Sequence, residues 1–149
     1  MDSLKLPGGA WVVVCDGRKA LILENVGDAE YPDLRTRDVD KQDDPPTSAI
    51  GTDRPGRVQQ SANSRRSATE ETDLHDQSEQ EFLAALVHRL DAALLSKAAK
   101  DLVIVAPPRA LGAMRKVYSD HIRAALIAEV DKDLTTMPVD QIEKHLIGR

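Results

Sequence analysis

The chain has one cysteine, Cys15, so no internal disulfide is available, and no Cys/His cluster has zinc-ligand spacing. Set in an apolar run, Cys15 reads as a small core residue. Aromatic residues are nearly as scarce. Trp11, Tyr31, Phe82 and Tyr118 are the whole set in 149 residues. A base-stacking platform needs several exposed rings on one face, so an aromatic single-strand binder is disfavoured. Positive net charge is missing too. At −5 the surface as a whole cannot drive non-specific nucleic-acid binding, which leaves only a local basic patch. No apolar run approaches the roughly 20 residues that span a bilayer. The stretch Met1 to Gly9 has no apolar core of the signal-peptide kind. These absences predict a cytoplasmic protein with no membrane partner. There is no Walker A sequence and no Gly-x-Gly-x-x-Gly, so no nucleotide cofactor is expected. No Gly-x-Ser-x-Gly elbow occurs, and no two of His75, His88, His121 and His145 lie within four residues of each other. No catalytic residue and no metal ligand is assigned on these grounds.

What is present is enough for one domain with a core: 41% hydrophobic residues in a chain of this length, with 30% charged. Ala10–Cys15 is rich in β-branched residues and reads as a strand. Asp16-Gly17 reads as a two-residue type I′ hairpin turn, and Lys19–Glu24 as the returning strand. Leu34–Val39 alternates and carries charge, as an edge strand does. Residues 41–74 hold Pro45, Pro46, Pro55, Gly51 and Gly56 among polar residues without apolar period, and are expected to form a long flexible loop. Ser78-Glu79-Gln80-Glu81 fits a capping box, although a start near Asp73 is also open. Phe82, Leu83, Leu86, Val87, Leu90, Ala93 and Leu94 follow at helical spacing. Leu102–Ala106 reads as a strand buried on both faces, leading at Pro107-Pro108 into a helix to about Tyr118. A strand at about 125–130 and a helix from Pro138 through Ile147 complete the chain. The order β-β-β-α-β-α-β-α predicts an α/β fold with a mixed five-stranded sheet, in a ribonuclease-H-like layout.

Five segments carry a resemblance over nearly the whole chain: Leu6–Val14, Asp16–Ala20, Gly51-Thr52-Asp53-Arg54-Pro55-Gly56-Arg57, Val105–Gly112 and Glu129–Thr135. In these the chain resembles the bacterial host attachment protein family. That family is grouped with bacterial and archaeal proteins similar to the middle domain of the eukaryotic peptide-chain release factor. The resemblance implies a release-factor-middle-domain fold and, by analogy, a place near the ribosome. Release factors hydrolyse peptidyl-tRNA with a Gly-Gly-Gln loop. This chain has Gly8-Gly9-Ala10 and no Gly-Gly-Gln, so peptide release is not implied.

Three sets of residues are candidates for chemistry. Arg54, Arg57, Arg65 and Arg66 lie in a glycine-containing segment and could grip phosphates bidentately. Arg109 stands in the first turn of the helix after the buried strand, where the helix dipole favours an anion. Together they point to a non-catalytic module that binds RNA or the ribosome. The alternative is a hydrolase or nuclease of ribonuclease-H-like fold, using Asp16, Asp131 or Asp133 on metal ions. For that reading Glu79 and Glu81 are further carboxylates, though capping already accounts for Glu81. A third reading, an indirect role in attachment to host cells, follows from the family's name.

Overall fold

The computed structural model describes residues 5–41 and 68–147, and of residues 68–76 the backbone alone. The elements are β1 (Trp11–Cys15), β2 (Lys19–Asn25), β3 (Leu34–Lys41), α1 (Ala68–Leu95), β4 (Leu102–Ala106), α2 (Pro108–Arg115), α3 (Asp120–Ala125), β5 (Leu126–Asp131) and α4 (Val139–Ile147). The five strands form one mixed sheet in the order β3-β2-β1-β4-β5. The β1–β2 and β2–β3 pairs are antiparallel, and β1–β4 and β4–β5 are parallel. The expected α/β architecture is therefore the one observed.

Burial follows from this order. β1 and β4 are central, covered on both faces, and every residue in them is buried, as their unbroken apolar sequence requires. Trp11, Val13 and Cys15 face α1, α2 and α3, packing with Leu86, Leu90, Met114 and Ile122. Val12 and Val14 face the other way, toward α4, with Ile142 and Leu146. β3 lies at an edge, and its side chains after Leu34 are mostly exposed. A bulge interrupts its pairing: Ile22 opposes Asp38 while Leu23 opposes Thr36, so Arg37 has no opposite residue. Its guanidinium lies 4.6 Å over the Trp11 ring and reaches Glu24 at 2.8 Å.

Several expectations need correction. α1 begins at Ala68, so Ser78 is an interior helical residue and no capping box exists there. The expected loop over 41–74 is shorter at both ends: Lys41 closes β3, and residues 68–74 are helical. The missed turns, Ala68–Gln77, have almost no apolar residue to show a period. Their signal was acidic, Glu70 and Glu71 in the first turn, where the helix dipole favours them. The helix after β4 ends at Arg115 rather than Tyr118. Ser119 then caps the six-residue α3, its hydroxyl accepting from the Ile122 N–H at 3.1 Å. So short a helix shows too little of the 3.6-residue period to read. The β1–β2 turn is also different. Asp16 N–H donates to the Lys19 carbonyl at 3.0 Å, so Gly17 and Arg18 are the central pair. Neither has positive φ, which type I′ demands. Instead the Asp16 carboxylate closes the turn, accepting from the Arg18 and Lys19 N–H groups at 2.8 Å each.

Candidate functional site

The parallel pair β1–β4 ends at one edge of the sheet, where Cys15 runs into the Asp16–Lys19 turn and Ala106 runs into α2. Open α/β sheets place ligands outside the carboxyl ends of their strands. A cleft of about 520 Å³ opens there, in the size range of small-ligand sites. Its walls come from three elements: the turn, with Gly17 and Arg18; α1, with Glu79 and Leu83; and α2, with Arg109 and Lys116.

Each wall has a local cause. Pro107 is the N-cap of α2 with extended φ and ψ of −66° and 161°, and Pro108 occupies the first helical position, as expected from the sequence. Among the described residues no side chain caps this helix, and no acidic residue lies in its first turn. The first-turn N–H groups and the positive end of the dipole therefore lie beside the cleft. Arg109, Gly112, Ala113 and Lys116 recur at helical spacing, so one stripe of α2 faces the cleft, cationic at both ends and small in the middle. At Gly112 an added Cβ would meet nothing within 4 Å. Across the cleft, Glu79 lies on Gly17. A Cβ at Gly17 would fall 2.7 Å from Glu79 Cγ and 2.8 Å from Cδ, so a glycine there lets α1 and the turn approach.

Of the five candidate arginines, Arg109 is thus brought to the cleft. Arg54, Arg57, Arg65 and Arg66 lie outside the described residues. The structure brings Asp16 and Asp133 together, but around a hydroxyl. Thr135 Oγ1 stands 3.2 Å from Asp16 Oδ2 and 2.9 Å from Asp133 Oδ1, and Lys19 Nζ donates to the Thr135 carbonyl at 3.3 Å. With two backbone N–H groups on the other oxygen, Asp16 clasps the turn to the segment after β5. Asp131 is exposed at the end of β5. Among the described residues, no group of three His, Cys, Asp or Glu is arranged to hold a metal ion.

The model of bacterial archaeo-eukaryotic release factor family 12 matches residues 9–146. The chain belongs to that family. No curated protein matches it. No helix among the described residues is long and apolar enough to cross a membrane. In this release-factor-like chain, Gly8-Gly9 is a structural turn before β1. Gly9 has φ +86° and its N–H donates to the Asn25 carbonyl at 2.8 Å.

Arg18, Glu79 and Lys116 were missed as members of one site. In the sequence Arg18 falls next to the Asp16-Gly17 turn, Glu79 in the expected capping box and among the carboxylates of the nuclease reading, and Lys116 in the helix after β4. Only the meeting of the turn, α1 and α2 unites them. The Arg-x-x-Gly-Ala-x-x-Lys spacing of α2 was the one signal in the sequence.

Proposed function

We propose that this release-factor-like protein is a non-catalytic binding module that associates with RNA, with the ribosome as its RNA-bearing partner. The observation that carries the reading is the position of Arg109. It stands in the uncapped first turn of α2, at the carboxyl edge of the parallel strands, with Arg18 and Lys116 on the same cleft. Guanidinium groups and helix N-terminal N–H groups are the usual partners of phosphate oxygens. Arg54, Arg57, Arg65 and Arg66 supply a second set of contacts in this reading. Membership of a release-factor-like family supports a place in translation, while the lack of Gly-Gly-Gln argues for binding without peptide release. An effect on attachment to host cells would then be indirect.

The test is co-sedimentation with ribosomes from lysate at low and high salt. Phosphate contacts make association salt-sensitive. The wild type is expected in the ribosomal pellet at low salt and in the supernatant at high salt. The Arg54/Arg57/Arg65/Arg66 alanine variant should stay in the supernatant at both. A wild type that never pellets refutes the reading.

A further inference from the structure

The cleft contains more than cations. Glu79 and Lys116 face it from opposite walls, and neither side chain has a partner among the described residues. Glu79 is half-buried. That carboxylate borders an open cleft, so a hydroxyl or amine donor of a ligand can replace the water that solvates it. Between the charges, Gly112, Ala113 and Leu83 give a floor of small and aliphatic groups, and the space above Gly112 is open. Arg109 and Lys116 are seven positions apart, which is about 10 Å along a helix. A ligand filling this cleft therefore carries an anion at the Arg109 end, a flat or slender body over the small stripe, and hydroxyl or amine donors toward Glu79.

We propose that the cleft binds a 5′-phosphorylated ribonucleotide. Its phosphate meets Arg109 and the first-turn N–H groups of α2, with Arg18 closing from the turn. The ribose hydroxyls donate to Glu79. The base lies along Gly112 and Ala113 toward Lys116. No aromatic residue lines the cleft, so the base is held by shape and edge contact rather than by ring stacking. The same unit is offered by a free nucleotide and by the 5′ end of an RNA chain. The choice of a ribonucleotide over other phosphates rests on the RNA-binding reading above.

Isothermal titration of the full chain tests this with four probes: adenosine 5′-monophosphate, its 2′-deoxy counterpart, inorganic phosphate, and a 5′-phosphorylated oligoribonucleotide. The ribonucleotide unit is expected to bind on the order of 10-fold tighter than the deoxy form or phosphate alone, the worth of one charge-assisted hydrogen bond. Glu79→Gln should narrow that preference while leaving phosphate binding in place. Gly112→Leu should block the cleft, at a position where the helix favours leucine over glycine. Lys97→Ala/Lys100→Ala removes cations from a separate hollow near His121, and should change nothing. Circular dichroism on each variant reports folding. If only the free nucleotide binds, or only the oligonucleotide, the cleft assignment stands and the source is identified. Ribonucleotide binding that is no tighter than phosphate overturns the proposal. So does binding that survives both Glu79→Gln and Gly112→Leu with its ribose preference intact. Ribosome co-sedimentation that depends on Arg54, Arg57, Arg65 and Arg66 can persist in either case, so failure here is distinct from failure of the RNA-binding reading.

Discussion

Asn25 is the buried polar residue whose loss should cost most. It ends β2 with no exposed surface. Its Oδ1 accepts from the Asp33 N–H at 2.8 Å and the Gly27 N–H at 2.9 Å. Its Nδ2 donates to the Leu6 carbonyl at 2.9 Å, with the Pro7 and Asp28 carbonyls at 3.2 and 3.3 Å. One amide thus ties the segment before β1 to the loop between β2 and β3. Asn25→Ala removes all of these bonds and leaves two N–H groups without their acceptor. Taking about 1 kcal/mol for each of the three shortest bonds, the loss is roughly 3 kcal/mol. That corresponds to a fall in Tm of roughly 6–12 °C for a chain of this size. Urea unfolding followed by the fluorescence of Trp11, the sole tryptophan, reads it directly. Asn25→Asp is the control. It keeps the acceptor but turns an oxygen toward three carbonyls, and should destabilise at least as much as alanine. A loss below about 1 kcal/mol in Asn25→Ala would refute the assignment, because even one orphaned buried amide exceeds it.

Other expected outcomes differ in size and in pH. Arg89 reaches Asp38 Oδ2 at 2.5 Å and Asp40 Oδ2 at 2.6 Å, but all three side chains are at least 40% exposed. Arg89→Ala should therefore cost less than about 1 kcal/mol in urea unfolding, and less again in high salt. Glu129 accepts from Arg115 at 2.6 Å and from Tyr118 Oη at 2.7 Å. The Arg115 hydrogen bond holds its carboxyl below the ordinary value of 4.5. A depressed carboxyl contributes its full stability above that value and loses it as pH falls through the folded pKa. Acid titration of Tm should show Glu129→Gln with its largest deficit near neutrality and a closing gap below pH 4.5. Burial, and secondarily the charges of Asp16 and Asp133, pushes the Cys15 thiol up to about 12. The native thiol should resist thiol reagents at pH 8 and react only as the chain unfolds. Because the unfolded thiol ionises near 9 and the folded one does not, stability should also fall as pH rises above 9, a fall that is smaller in Cys15→Ala, where the half-buried Tyr118 hydroxyl, raised above its ordinary value of 10, still contributes.

The elements legible in the sequence were those whose burial is written as an uninterrupted or periodic apolar pattern. Val12, Val13 and Val14 in β1, and Val103, Ile104 and Val105 in β4, can only be central strands, because each apolar residue needs a covered face. Leu83, Leu86 and Leu90 mark the buried side of α1 in the same way. From those elements the mixed sheet follows, and with it the carboxyl edge where Arg109 stands. What stayed hidden depends on polar groups acting at a distance. The first turns of α1 contain too few apolar residues to declare a period. The Asp16 turn is decided by a carboxylate that also reaches Thr135, 119 residues away. Asn25 looks like an ordinary strand end until Leu6 and Asp33 are placed around it. The cleft shows the same limit most sharply. Arg18 and Lys116 carried no functional reading of their own, and Glu79 was read only within the capping segment or as a nuclease carboxylate, so nothing joined the three. Local sufficiency is what hides a binding site from sequence reading: a side chain explained by its neighbours in the chain gives no sign of its neighbours in space. Glu79 is the instructive case. The capping role that accounted for its segment disappears with a helix that starts ten residues earlier, and what remains is a half-buried carboxylate lying on Gly17 with no donor among the described residues. The failure of the local explanation is thus itself the observation that points to the cleft.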